Sequence, residues 1–113
     1  MIGLDSMGHL YSDVSVAELY DFAVNKLGLK PEWNHYGRYF PHFDLTTARK
    51  KKQAKELGAL YVDARNDIER YKTVRIMYAK WHNENAHLNY WYESAGLVGQ
   101  KILRIDFKKL GIG

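Results

Sequence analysis

A serine and a glutamate three residues apart, Ser15 and Glu18, open an apolar run at helical spacing that ends on a glycine, Gly28. Nothing else in the chain restricts its fold as tightly. The S-x-x-E pair is a capping box, and Val16, Leu19, Tyr20, Phe22, Ala23 and Leu27 recur as one side of a helix would, so residues 16–27 are expected to be helical. Gly28 supplies the left-handed stop. Directly before this helix, Gly8 to Asp13 (GHLYSD) reads as a short strand ending in a turn. The same order recurs later. ALYVDA (59–64) reads as a buried strand, and Asn66 with Glu69 repeats the cap logic. A third helix follows, with Ile68, Tyr71, Val74, Tyr78 and Trp81 sharing a face. LYSDVS (10–15) and LYVDAR (60–65) therefore echo each other as strand, aspartate and capped helix. An α/β layout follows, with Asp13 and Asp63 expected near the C-terminal ends of neighbouring strands, where open α/β sheets take ligands.

Between these units, residues 30–45 read as a long loop bent at Pro31, Gly37 and Pro41. Thr46 is the expected cap of a second helix over about 47–57, closed by Gly58, with Leu45, Ala48, Ala54 and Leu57 as a narrow apolar stripe. Near the C-terminus HLNYWY (87–92) and KILRIDF (101–107) alternate as strands do, with Leu103, Ile105 and Phe107 on one face, and the link ESAGLVG makes a hairpin the simplest connection. The expectation is one α/β domain over 1–113, with a short central sheet, about three helices and a C-terminal β-hairpin. Residues 8–61 form its core, 62–85 a strand end and the third helix, and 86–113 a candidate oligomerisation element. A ring-rich terminal hairpin can cover its own sheet or pair with another subunit, so a homo-oligomer is expected.

The 113 residues contain no cysteine, which removes disulfides, thiolate metal sites and a thiol nucleophile and suits a reducing cytoplasm. No apolar run approaches the roughly 20 residues of a membrane span, and the first ten residues lack the features of a signal peptide. A cytoplasmic protein without a membrane partner is expected. The net charge of +4 is unevenly spread: Lys30, Arg38, Arg49, Lys50, Lys51, Lys52 and Lys55 face only Glu32 and Asp44 within residues 30–55, while the rest of the chain is almost neutral. A local basic field beside many rings suits anionic aromatic partners; a solvated helix face would look the same.

GHLYSD, AELYDFAVNKLGL, EWN, PHFDLT and KKQAKELGA, taken in order over residues 8–61, resemble a family of small bacterial and phage proteins classified as a domain of unknown function. That family reads H-L-x-[SA]-D, E-L-h-x-F-A-x-x-L-G-L, a Trp-Phe-Gln element, H-Y-D-[LV]-T, and a basic helix ending in G-A. Two departures stand out. The family opens with a VYVDD-like strand, to which IGLD (2–5) is the counterpart here, and the Trp-Phe-Gln element is reduced to Trp33-Asn34-His35. The resemblance implies site positions at His9, Asp13, Trp33, His42, Asp44 and the first basic residues of the second helix, without implying a reaction.

The stretch NHYGRYFPHFD (34–44) lies at the centre of these positions, and three chemistries compete for it. His9 and His42, with nearby cations, could act as base and acid in a phosphodiester cleavage, each oriented by a carboxylate such as Asp13 or Asp44. The His-apolar-Thr signature of two-histidine phosphoesterases is absent. His9, Asp13, His42 and Asp44 could also offer a mixed nitrogen and oxygen set to Zn or Mn. No ligand pair has a diagnostic spacing and HEXXH is missing, so neither a metal nor a cofactor is assigned from sequence. Binding without catalysis asks least. Rings from Trp33, Tyr36, Tyr39, Phe40 or Phe43 could stack on a base, while Arg38 and Arg49 to Lys52 hold phosphate beside a helix N-terminus. The expected ligand is a phosphate-bearing, nucleotide-like small molecule bound by His9, Asp13, Trp33, Tyr36, Arg38, Tyr39, His42, Asp44, Thr46, Arg49 and Lys50; if the chain is phage-encoded, sequestering a host nucleotide signal is a suitable role. Single-stranded nucleic acid fits less well, because an extended basic track is lacking. Core packing is the competing reading for the rings.

Overall fold

Short apolar segments joined by tight turns pair into a mixed sheet in the computed structural model, which describes residues 1–36, 40–63, 65, 67–85, 91–95 and 101–113, with backbone alone for 91–95 and 101–103. β1 (Ile2–Asp5) and β2 (His9–Ser12) form an antiparallel hairpin. Its turn needs Gly8, whose φ is +86° and whose carbonyl accepts from the Leu45 amide at 2.8 Å. Glycine enters that left-handed conformation without the penalty a Cβ brings. β3 (Asn34–Tyr36) and β4 (Pro41–Asp44) make a second hairpin, and β5 (Leu60–Val62) closes the order β3-β4-β2-β1-β5. β4 pairs antiparallel with β2, while β5 runs parallel to β1.

The α/β expectation holds, and several of its parts change. The described part of residues 30–45 is not one long loop: a 3-10 turn (Pro31–Trp33) leads into β3, and PHFD is β4. Strands of three and four residues are too short to display alternation, and Pro41 falls at a strand start, where a missing N–H is tolerated. Asp13 and Asp63 lie at opposite ends of the sheet, because β2 and β5 flank β1 in opposite directions. Pairing direction is a tertiary property that the two similar segments do not encode.

The first helix starts where expected. Ser15 Oγ accepts from the Glu18 amide at 3.1 Å, and α1 (Val16–Tyr20) continues as a π-helix through Lys26 to Gly28, φ +74°. The box is half-made, since the Glu18 carboxylate accepts from the Ser12 hydroxyl. α2 (Ala48–Glu56) is capped by Thr47, one residue later than expected, through Lys50 N to Thr47 Oγ1. α3 (Ile68–Asn85) buries Val74 and Tyr78 and leaves Ile68 exposed; its expected cap, Asn66, lies outside the described residues.

β6 (Trp91–Ala95) and β7 (Lys101–Ile105) pair antiparallel as the expected C-terminal hairpin, a separate two-stranded sheet, but β6 takes in residues 93–95, expected in the link; residues 86–90 and 96–100 lie outside the described residues. One buried side chain grips the backbone of β7. Asn34, fully buried, accepts from the Ile105 amide at 2.8 Å and donates to the Ile105 carbonyl at 3.0 Å and the Pro31 carbonyl at 2.8 Å. Beyond β7, Phe107 stacks on Phe43 with centroids 6.4 Å apart, and Leu4, Leu10, Leu19 and Leu27 join the same core. Each such side chain contributes about 1.5–3 kcal/mol by leaving water.

Candidate functional site

β-strand alternation turns His9 of β2, His42 and Asp44 of β4, and His35 of β3 to one side of the sheet, opposite the buried Leu10 and Phe43. The register sets His9 beside Asp44 and His35 beside His42, so side chains up to 35 positions apart in sequence meet at one sheet end. Three of the chain's five histidines converge there. The His9 and His42 rings lie 4.7 Å apart between centroids, and His35 and His42 lie 5.5 Å apart.

Asp44 is the hub. Its Oδ2 accepts from His35 Nδ1 at 2.8 Å, while Oδ1 stands 3.6 Å from His9 Nε2 and 3.5 Å from His42 Nε2. The bond from His35 holds the Asp44 carboxyl below its ordinary pKa, against the effect of burial. Asp5, at the end of β1, is the second carboxylate. It is 2% exposed as a side chain, takes His9 Nδ1 at 2.9 Å, and accepts from the Met7 and His9 amides and the Tyr71 hydroxyl, each at 2.9 Å. Burial pushes Asp5 up, but the hydrogen bonds from the His9 side chain and amide outweigh it and keep Asp5 ionised. Asp5 in turn raises His9. His42 goes the other way: burial lowers its pKa, and its Nδ1 donates to the Phe40 carbonyl at 2.9 Å, leaving Nε2 with its lone pair. Burial, then the Asp5 carboxylate, raises the Tyr71 hydroxyl far above the ordinary phenol value, so it stays a donor.

Two clefts flank this cluster. One, about 480 Å³, runs from Trp33 across His35 and Asp44 to Thr46, Thr47 and Lys50 at the start of α2. The other, about 300 Å³, lies over Asp5 and His9 and is walled by Met7, Phe40, Ile68 and Tyr71.

The residues expected from sequence divide accordingly. His9, His42 and Asp44 meet, and Trp33, Thr46 and Lys50 border the larger cleft with Asp44. Asp13 lies at the far end of β2, paired with the Met1 ammonium at 2.6 Å and with Arg70 at 3.0 Å. Tyr36 is a core residue whose hydroxyl donates to the Tyr78 carbonyl; Phe40 and Phe43 are buried too. Arg49 is exposed on α2, and Lys50 Nζ reaches the Leu27 carbonyl at 2.9 Å. Arg38 and Tyr39 lie outside the described residues. Asp5, His35 and Tyr71 were missed. Asp5 ends an apolar tetrapeptide four residues before His9, which is hairpin spacing and the one local signal for it; His35 and Tyr71 required the strand register and the helix placement.

Fold and cluster together define a small mixed α/β domain with a histidine–carboxylate constellation at one end of its sheet. Residues 2–74 match the family described as Protein of unknown function (DUF4031), and the chain belongs to that family. The matched span begins at β1 and reaches into α3, so it contains every residue of the constellation and excludes β6 and β7. Comparison with curated proteins and with solved structures finds no match. Among the described residues no helix is long and apolar enough to cross a membrane.

Proposed function

We propose that the chain binds a phosphate-bearing, nucleotide-like small molecule in the larger cleft, with His35 and Asp44 at its floor. The observation that supports this most is a juxtaposition. Trp33, 49% exposed, lines one cavity together with Lys50, Thr46 and Thr47 at the start of α2. An exposed indole offers a stacking face, and the start of a helix offers unpaired N–H groups and a positive dipole end. Arg104 lines the same cleft and is held there by the Glu32 and Asn34 carbonyls. A pocket that holds such a ligand without turnover would serve to sequester a nucleotide signal. That is the role suited to a phage-encoded member acting in its host's cytoplasm, and pairing of subunits through the C-terminal strands would accompany it.

The test is calorimetry against a panel of cyclic and ADP-ribose-type nucleotides, followed by product analysis. Binding is expected, and Trp33→Ala should weaken it by the worth of one stacked base, about 1–3 kcal/mol. Absence of binding across the panel refutes the proposal. Turnover abolished by His42→Ala would select hydrolysis, a reading favoured by the pairing of a His9 raised in pKa with a lowered His42. Tight, strongly salt-dependent capture of oligonucleotides would select a nucleic-acid strand instead.

A further inference from the structure

We propose that His9, His42 and Asp44 bind one divalent transition-metal ion of the Zn or Mn class through Nε2, Nε2 and Oδ1. The inference goes beyond the nucleotide reading and does not depend on it. Each of these groups offers one ligand atom, and the three atoms lie within 4.8 Å of one another. Oδ1 stands 3.6 Å from His9 Nε2 and 3.5 Å from His42 Nε2, beyond hydrogen-bonding range. Atoms bound at about 2.1 Å to a shared ion at tetrahedral angles stand about 3.4 Å apart, close to the two separations that involve Asp44 Oδ1.

The outward atoms make the same case. Ligating histidines almost always donate the other ring nitrogen to a carboxylate or a backbone carbonyl, which fixes tautomer and orientation. Here His9 Nδ1 is held by Asp5 at 2.9 Å and His42 Nδ1 by the Phe40 carbonyl at 2.9 Å, while Asp44 spends Oδ2 on His35 at 2.8 Å. Asp5 is itself fixed by two amides and the Tyr71 hydroxyl. Every group therefore commits its far atom to the scaffold and leaves its near atom beside those of the other two. Two imidazoles and one carboxylate favour a borderline ion over Mg or Ca, and three protein ligands leave a position for water or a substrate oxygen. His9 lines the smaller cleft and Asp44 the larger, so an ion between them would be reached from either side.

The test needs no nucleotide. The full chain, dialysed against a chelator, is titrated with Zn and with Mn by calorimetry and with Co for its ligand-field absorption. Uptake of one ion per chain is expected. Asp44→Asn and His42→Gln should each abolish it, Asp5→Asn should weaken it by about 10- to 100-fold, and Asp13→Asn, remote from the cluster, should leave it intact. Nitrogen-edited histidine spectra of the unsubstituted chain guard against variants that fail to fold: Nε2 of His9 and His42 should move on metal addition and His82 should not. No stoichiometric uptake, uptake that survives both ligand substitutions, or unmoved His9 and His42 resonances overturns the proposal.

Discussion

Replacing Asn34 with alanine should loosen the C-terminal strands from the rest of the molecule, and the size of the effect can be worked from the structure. Asn34 takes the place of a strand–strand ladder: it joins β3 to β7 by gripping both backbone groups of Ile105, and it also closes on Pro31. Asn34 is 0% and Ile105 2% exposed, so water cannot readily replace the lost partners. A buried donor or acceptor left unsatisfied costs about 1–3 kcal/mol. With the Ile105 amide and carbonyl both orphaned, and the Pro31 carbonyl partly rehydrated at the edge, a loss of about 3–4 kcal/mol is expected. That is a large share of the about 5–15 kcal/mol that stabilises a typical domain. Urea unfolding followed by tryptophan fluorescence measures it, and hydrogen exchange at the Ile105 amide locates it. Asn34→Asp retains an acceptor for that amide but sets a carboxylate against two carbonyls, so it should be no better than alanine. A loss below about 0.5 kcal/mol for Asn34→Ala, with Ile105 still protected, would refute the claim that this side chain anchors β7.

Gly8→Ala should destabilise by about 1–3 kcal/mol, since φ is +86° and an added Cβ would stand 2.6 Å from the Leu45 carbonyl oxygen; an unchanged melting temperature would contradict this. Tyr71→Phe removes one hydrogen bond to a buried carboxylate and should cost about 1.5–3 kcal/mol in denaturant unfolding, the range for bonds to charged groups. Asp13 contributes to the acid limb of the pH dependence. Burial pushes its carboxyl up, but bonds from the Met1 ammonium and Arg70 prevail and hold its pKa below the ordinary value. A depressed folded pKa stabilises above the unfolded value of about 3.9 and is lost as pH falls through the folded one. Asp13→Asn should therefore flatten the decline in stability below about pH 4, and, because the pair is part-exposed, cost under about 1 kcal/mol at neutral pH; an unaltered acid limb would speak against it.

What the sequence alone determined about this protein is local and periodic. Ser15, Gly28 and Gly58 bound helices because caps and left-handed stops act within a few residues. The KILRI strand and the long third helix are legible because enough residues repeat to show a period. His9, His42 and Asp44 were recognisable as chemistry-bearing residues in a matching family pattern. Their meeting was decided only by tertiary structure. The β2–β4 register puts Asp44 opposite His9, and β3 brings in His35 through a strand too short to announce itself. Strand direction carried Asp13 to the wrong end of the sheet for this site and Asp5, through the β1–β2 turn, to the right one. Rings that looked like a binding surface, Tyr36, Phe40 and Phe43, were claimed by the core. Burying a ring is favourable wherever the sheet turns it inward, and which way it turns depends on partners that no local pattern names.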